Sequence, residues 1–478
     1  MVGRLHRQSS LFYVAFDKQA SLIKDDLLEP IDELLDDEEL VALVQQRLER
    51  RHPRSRTRGR RGISPDRLLR CCALKHIKQW SLRELERELR GSLIYRRFTR
   101  FDQDPIPDFA TFSRAFAVLG DDGTRAVHDC IVKKARVERV AQGNKLRTDT
   151  TVVESNIHHP TDSSLLQDGI RIVTRALKSI AGECAKGSVK VTDHARAAKH
   201  RSLEIHRAAR ALTEANQERM KRSYGKLIGF TRHVLRQAEK VQTDLKRGRL
   251  RVVGEANRVL AHAARIDHFV PLIKNVISQT KARVFKGDTH VVDKIVSLFE
   301  VHTQAIRKGK AHKPTEFGRL VQVDEVENGI VSNYDIKVGN PADSDAWTPA
   351  ISQHKAIFGR APKMATADRG FFSADNESSA RRSGVGHVAI PARGVLSEKR
   401  RKHQKQRWFR RALRWRGGIE ARIGTLKQRF DMVRTRYKGD CGFKRHVGWS
   451  IIANNLVSIA RVRQKRKAEH DVRTKRAA

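Results

Sequence analysis

Nowhere in the chain do about 18 apolar residues run together, which argues against a membrane-spanning helix. The N-terminal MVGRLHRQSSLFYVAF opens on basic residues, but its apolar stretch is too short for a secretory signal. Cysteine is scarce. The five present, Cys71, Cys72, Cys130, Cys184 and Cys441, show neither a C-x-x-C pair nor zinc-finger spacing. They are expected as reduced thiols in a cytoplasmic protein, without a structural zinc. Acidic residues are also short: 54 Asp and Glu stand against 97 Lys and Arg, a formal charge of +43. Self-repulsion on that scale calls for a polyanionic partner, and phosphate backbones are the commonest. Small packing proteins carry such charge at low complexity. Here 478 residues, 39% of them hydrophobic, suffice for two or three domains with real cores.

Residues 18–50 alternate acidic and apolar positions, as an amphipathic helix does. The basic stretch at 50–62, with RRHPRSRTRGRR, is either a flexible connector or an arm that tracks phosphates, and the two are compatible. Helical signals resume at Ser64-Pro65, continue through a capping box of Ser81 and Glu84, and start again near Asp108. Short Arg-rich helices joined by tight turns fit a helix-turn-helix DNA binder, with a plain bundle as the alternative. KLRTDTTVV, 145–153, switches to strand character, with Leu146, Thr148, Thr150 and Val152 on one face and Asp149 on the other. A long helical stretch follows. In it Met220, Tyr224, Leu227, Thr231, Val234, Ala238, Val241 and Leu245 form a seam, expected as a helical hairpin or coiled-coil arm inserted into another domain. FGRLVQVDEV and GIVSNYDIKV then form a hairpin about Asn328-Gly329. Helix AWTPAISQHKAIF, strand KMATAD, a short helix from Ser373, strand GHVAIPA and a basic helix near Trp408 complete a mixed α/β order.

Within this order some carboxylates are expensive. Asp149 lies mid-strand among Thr and Val, where burying an unpaired carboxylate costs several kcal/mol, so it wants a metal, a cation or water. Asp368 ends a strand, where open sheets collect ligand groups. Glu420 is the sole carboxylate between Lys399 and Phe430. Helical spacing puts Ile419, Ile423, Leu426 and Phe430 on a core stripe and Arg416, Glu420 and Lys427 on a second stripe beside it, with Gly424 leaving that surface open. An i,i+4 pair accounts for Arg416 alone. Two strand carboxylates and one helix carboxylate are what a two-metal phosphodiester site requires. Hard Mg²⁺ takes oxygen ligands, and two ions about 3.5–4 Å apart activate the attacking oxygen and stabilise the leaving one.

Together LRTDTTVVES, TADRGF and the R-x3-E-x6-K series Arg416, Glu420 and Lys427 resemble bacterial insertion-sequence transposases of the DDE class. WSLRELEREL, PDFATFSR, PTDSSLL, KPTEFGRLVQV and IIANNLVSIAR add to the likeness, which spans most of the chain. A tyrosine often stands three residues before the arginine in that family; here it is Leu413, which removes the tyrosine's substrate contact. The resemblance implies an RNase H-like α/β catalytic core, a mixed sheet flanked by helices, with an all-α N-terminal DNA-binding domain and a large helical insertion. The corresponding parse is 1–140 for the DNA-binding domain, 141–159 with 315–440 for the core, 160–314 for the insertion and 441–478 for a C-terminal helix and basic tail. Asp149, Asp368 and Glu420 become the metal-binding catalytic triad for two Mg²⁺ ions, with Mn²⁺ as a substitute, and Arg416 and Lys427 become DNA contacts. Asp324 and Glu325 are the rival carboxylates. His158 and His159, side by side before a proline, are expected in a loop role. The implied activity is cleavage at the element's inverted ends and 3′-hydroxyl strand transfer into target double-stranded DNA, by a homo-oligomer in the bacterial cytoplasm at the nucleoid. A silent transposase-derived DNA binder and a nuclease without strand transfer are the alternatives.

Overall fold

A computed structural model describes residues 24–51, 54, 62–102, 104–211, 213–288, 290–291, 294–307 and 314–477. Most of the expected basic linker at 50–62, and residues before 24 in the expected acidic helix, lie outside these. The chain divides into two compact units, Met1–Asn156 with Gly318–Ala478, and Ile157–Phe317.

The first unit begins with helices. α1 (Leu28–Leu35) buries Leu28, Ile31, Leu34 and Leu35, and α2 (Glu38–Glu49) is capped by Asp37, whose carboxylate accepts the Leu40 N–H. α3 (Pro65–Ile77) starts on Pro65, but the Ser64 hydroxyl accepts no helix N–H, so proline alone marks that start. α4 (Leu82–Gly91) carries the reciprocal Ser81–Glu84 capping box, and α5 (Leu93–Phe98) follows directly from Ser92. α6 (Phe109–Val137) is capped by Asp108 and kinks at Gly120, where φ is +66°.

The sheet is mixed. β1 (Lys145–Glu154) pairs antiparallel with β3 (Thr315–Glu325) and parallel with β5 (Met364–Thr366), which pairs parallel with β6 (His387–Ala389). β4 (Val331–Ile336) returns along β3, and the short β2 (Gln304–Arg307) completes the order β2-β3-β1-β5-β6. Asn328 and Gly329 both adopt positive φ, 56° and 75°, in the turn between β3 and β4, as the Asn-Gly pair demands. α11 (Trp347–Phe358) and α12 (Ala374–Arg382) connect the parallel strands. The basic helix near Trp408 arrives as two pieces, α13 (Glu398–Lys405) and α14 (Arg407–Arg429), because Gln406 takes an extended conformation between them.

α15 (Gly439–Ala477) threads its apolar half through the core, burying Phe443, Val447, Ile451, Ile452, Leu456 and Ile459. Its Asn455 accepts the Val331 N–H and donates to the Val331 carbonyl, both at 2.9 Å, so one side-chain amide completes the backbone pairing of β4. Asn454 beside it donates to the Gly329 carbonyl at 3.0 Å, so both buried amides of IIANNLVSIAR are satisfied by backbone around the β3–β4 turn. Among the described residues no helix is long and apolar enough to cross a membrane.

In the second unit α7 (Asp162–Glu183), α8 (Ala195–Ala208), α9 (Glu214–Lys246) and α10 (Ala256–Lys286) share one apolar core. The seam on α9 buries Tyr224, Leu227, Thr231, Val234, Ala238 and Val241, but against α7 and α8 as well as α10. The outcome is a four-helix packing in place of the two-helix arm expected from one stripe.

Candidate active site

Strand register brings the first two carboxylates to the same end of the sheet. Arg147 stands opposite Thr366 in the parallel β1–β5 pair, the last pair of that ladder. Asp149 and Asp368 each lie two residues further along, toward the same end of the sheet. Neighbouring strands are about 4.8 Å apart where they pair, and both aspartates follow the end of that pairing. Both are half-buried. Asp149 accepts the N–H of Thr150 at 2.7 Å, and Asp368 caps a 3-10 turn, Arg369–Phe371, by accepting the Gly370 N–H at 2.7 Å.

Alternation along β1 puts Asp149 on the same face as Arg147, and Arg147 is the contact that seats α14. Its guanidinium donates two hydrogen bonds to Glu325, at 2.8 and 2.7 Å, donates to the Trp415 carbonyl, and lies 4.7 Å from the centre of the Trp415 ring. Gly418 faces Arg147 so closely that a Cβ there would collide with the guanidinium. One turn on, Arg422 donates to Glu325 at 3.2 Å and to Asn454 at 2.8 Å. Glu420 therefore rides on a helix clamped to the face that carries Asp149. Its side chain is 68% exposed and pairs with Arg416 at 3.2 Å, further into solvent than a stripe bordering the sheet suggests. Lys427, two turns further on, is half-buried, and the surface at Gly424 is open.

The rival carboxylates are committed elsewhere. Glu325 is fully buried beneath Arg147 and Arg422. Asp324, also buried, accepts from Thr148 at 2.6 Å, Asn333 at 2.8 Å and Gln322 at 2.9 Å. Burial pushes its carboxyl above the usual range, against those hydrogen bonds. Neither has a face left for a metal or a phosphate. His158 lies 3.7 Å from Asp168, and His159 packs edge-on to Phe317, 5.4 Å between ring centres; each has its own neighbour in the second unit.

A carboxylate that sequence patterns did not single out also belongs to this region. Asp343, ahead of α11, accepts from the Thr150 hydroxyl at 2.7 Å. A Cβ on Gly370 would lie 2.7 Å from Asp368 Oδ1 and 3.0 Å from Asp343 Oδ2. In the sequence Asp343 is indistinguishable from an ordinary helix-entry aspartate, so only the long-range contact reveals it.

Asp149, Asp368 and Glu420 offer oxygen donors only, the set that hard divalent cations select over softer metals. They do not share one tight sphere. Among the described residues the sole trio of potential ligand atoms within 4.8 Å of one another is Asp37, Glu39 and Cys130, where lysines already hold the carboxylates, Lys134 on Asp37 and Lys133 on Glu39. A site for two ions has outer ligands on opposite sides, so wider spacing fits that geometry.

Residues 16–117 match a family model described as a transposase domain (DUF772), and residues 296–456 match one described as a transposase DDE domain. The second match contains Asp368, Arg416, Glu420 and Lys427. Asp149 falls between the two matches, cut off from the rest of its sheet by the helical unit at 157–317. No curated protein and no solved structure matches the chain.

Proposed function

The chain belongs to the insertion-sequence transposases of the DDE class, and on that premise we propose that it binds the inverted ends of its own element in double-stranded DNA, cuts them, and joins the exposed 3′-hydroxyls to target DNA. The observation that supports this is the parallel register of β1 and β5, from whose last pair Asp149 and Asp368 each follow by two residues, on a sheet whose Asp149 face holds the helix of Glu420.

Asp149, Asp368 and Glu420 hold divalent metal, Mg²⁺ with Mn²⁺ as a substitute. When bound, such ions supply positive charge to the attacking oxygen, the scissile phosphate and the leaving oxygen. The chain's own contribution is placement. Arg147, locked between Glu325 and Trp415, fixes the distance of α14 from β1. Arg416 pairs with Glu420 in this state and turns to phosphate when DNA arrives, gripping with two parallel bonds. Lys427, a compact point charge on the same stripe, holds the strand end.

Further cations continue along α14. Arg407, Arg410, Arg411 and Arg414 are exposed, recur at helical spacing on one face, and form no ion pair among the described residues. Exposed Gly417 follows, with open space about it, before Glu420. This unpaired positive track, on a different face of the helix from Glu420, is suited to a phosphate backbone running past the site. The N-terminal helices α3–α6 are the module for recognising element ends, and bridging two ends calls for a homo-oligomer on DNA at the nucleoid.

End-labelled element DNA incubated with the protein, Mg²⁺ and a target plasmid should give nicked ends and then joined products. Cleavage without joining would leave a nuclease, and binding without cleavage a silent end-binding protein; either refutes the proposal.

A further inference from the structure

We propose that Asp343 is a positioning residue that sets the spacing between Asp149 and Asp368. This rests on the metal site proposed above.

Backbone pairing between β1 and β5 stops at Arg147 and Thr366. Both aspartates lie beyond it, where nothing in the ladder keeps the chains from splaying. Asp343 bridges that gap. Its Oδ1 accepts the hydroxyl of Thr150, the residue next to Asp149. Its Oδ2 and Cβ lie against Gly370, 3.0 and 3.4 Å from where a Cβ would be, and the Gly370 N–H holds Asp368. One carboxylate thus connects the strand of the first aspartate to the turn of the second.

Alternation along β1 sends Thr150 to the face opposite Asp149, so Asp343 approaches from behind the sheet. Asp343 is itself held. The loop it begins and the turn that follows Asp368 are tied by a single amide, Asn376, which donates to the Ser344 carbonyl at 2.8 Å and the Phe371 carbonyl at 2.9 Å. Arg393 holds the same turn from outside, donating to the carbonyls of Arg369 and Gly370 at 2.7 and 2.8 Å. A Cβ on residue 370 would press on both carboxylates and displace them from this arrangement.

The experiment measures Mn²⁺ binding to the full chain without DNA, counting free Mn²⁺ by electron paramagnetic resonance, together with thermal unfolding. Asp343→Ala and Thr150→Val should each weaken binding on the order of tenfold, the loss usual when a partner that orients a metal ligand is removed, with the unfolding midpoint little changed. Asp343→Asn keeps an oxygen for Thr150 and should stay close to wild type. Wild-type binding in Asp343→Ala, while Asp149→Asn loses its Mn²⁺, would overturn the spacer role and leave the metal site standing. Loss in Asp343→Asn as deep as in Asp149→Asn would also overturn it, by making Asp343 a ligand. A wild-type protein that binds no Mn²⁺ would remove the site and the spacer together. Should Asp343→Ala fail to fold, Thr150→Val decides, because it breaks the same bond from the other side.

Discussion

Arg147 and Glu325 stand directly opposite each other on β1 and β3, and their side chains form a two-point ion pair inside the core. Glu325 is wholly buried, and Arg147 is nearly so. The pair does more than hold two strands, because the same guanidinium reaches the Trp415 carbonyl and the same carboxylate receives Arg422 from α14. Removing Glu325 leaves two cations without an anion in low dielectric. Glu325→Ala should therefore cost about 3–5 kcal/mol of folding free energy, measured as a drop in the denaturant midpoint. A loss below about 1 kcal/mol would mean that α14 is seated by its apolar stripe and not by this pair.

The carboxylates proposed to hold metal should behave differently. Asp149→Asn, Asp368→Asn and Glu420→Gln remove negative charge from half-buried or exposed positions, so folding should be nearly unchanged. Each should reduce end cleavage below detection while DNA affinity stays within about twofold, since the basic surface that binds phosphate is intact. Cleavage that survives in one variant at ordinary Mg²⁺ concentration takes that residue out of the triad.

These residues differ in how visible they are in sequence. The Ser81–Glu84 capping box and the Asn328-Gly329 turn are local patterns and form as expected, and most of the α9 seam is buried as its spacing demands. Asp149 is conspicuous as a carboxylate mid-strand among Thr and Val, and Asp368 as one that follows the short apolar strand MAT. What is not local stays hidden. Glu325 looks like a possible ligand until Arg422, 97 positions away, is seen to cover it. Asp343 meets Thr150 across 193 positions, most of them spent on an inserted helical unit. The break at Gln406 has no glycine or proline to announce it, and one apolar stripe on α9 cannot report how many helices pack on it.

Along α14 the exposed arginines can be tested without touching the carboxylates. If Arg407, Arg411 and Arg414 each neutralise a phosphate, the slope of log affinity against log salt should become shallower by about 0.9 per residue on B-form DNA. The triple alanine variant should thus lose between roughly two and three units of slope, with an unfolding midpoint like that of wild type. An unchanged slope would mean that the nucleic acid takes another path.

Buried histidines give the fold a predictable response to acid. His354 donates from Nε2 to the Gly143 carbonyl at 3.0 Å, and burial pushes its pKa down to about 4. His446 contacts the Asp431 carbonyl at 2.7 Å, and burial beside the Lys75 cation pushes its pKa down to about 3. In the unfolded chain both take up a proton near pH 6.5. Between that value and the folded ones, the unfolded state binds more protons, so stability must fall as pH falls. The contribution is complete above about pH 6.5 and is lost progressively toward pH 4 and 3, on the order of 2 kcal/mol per histidine by pH 5. Neutral forms are required at both positions, so His354→Gln, which keeps an amide donor for Gly143, should remove one histidine's share of the slope. Urea midpoints measured from pH 7.5 to 4.5 on wild type and this variant give the comparison. Parallel curves across that range would show that His354 does not titrate with unfolding.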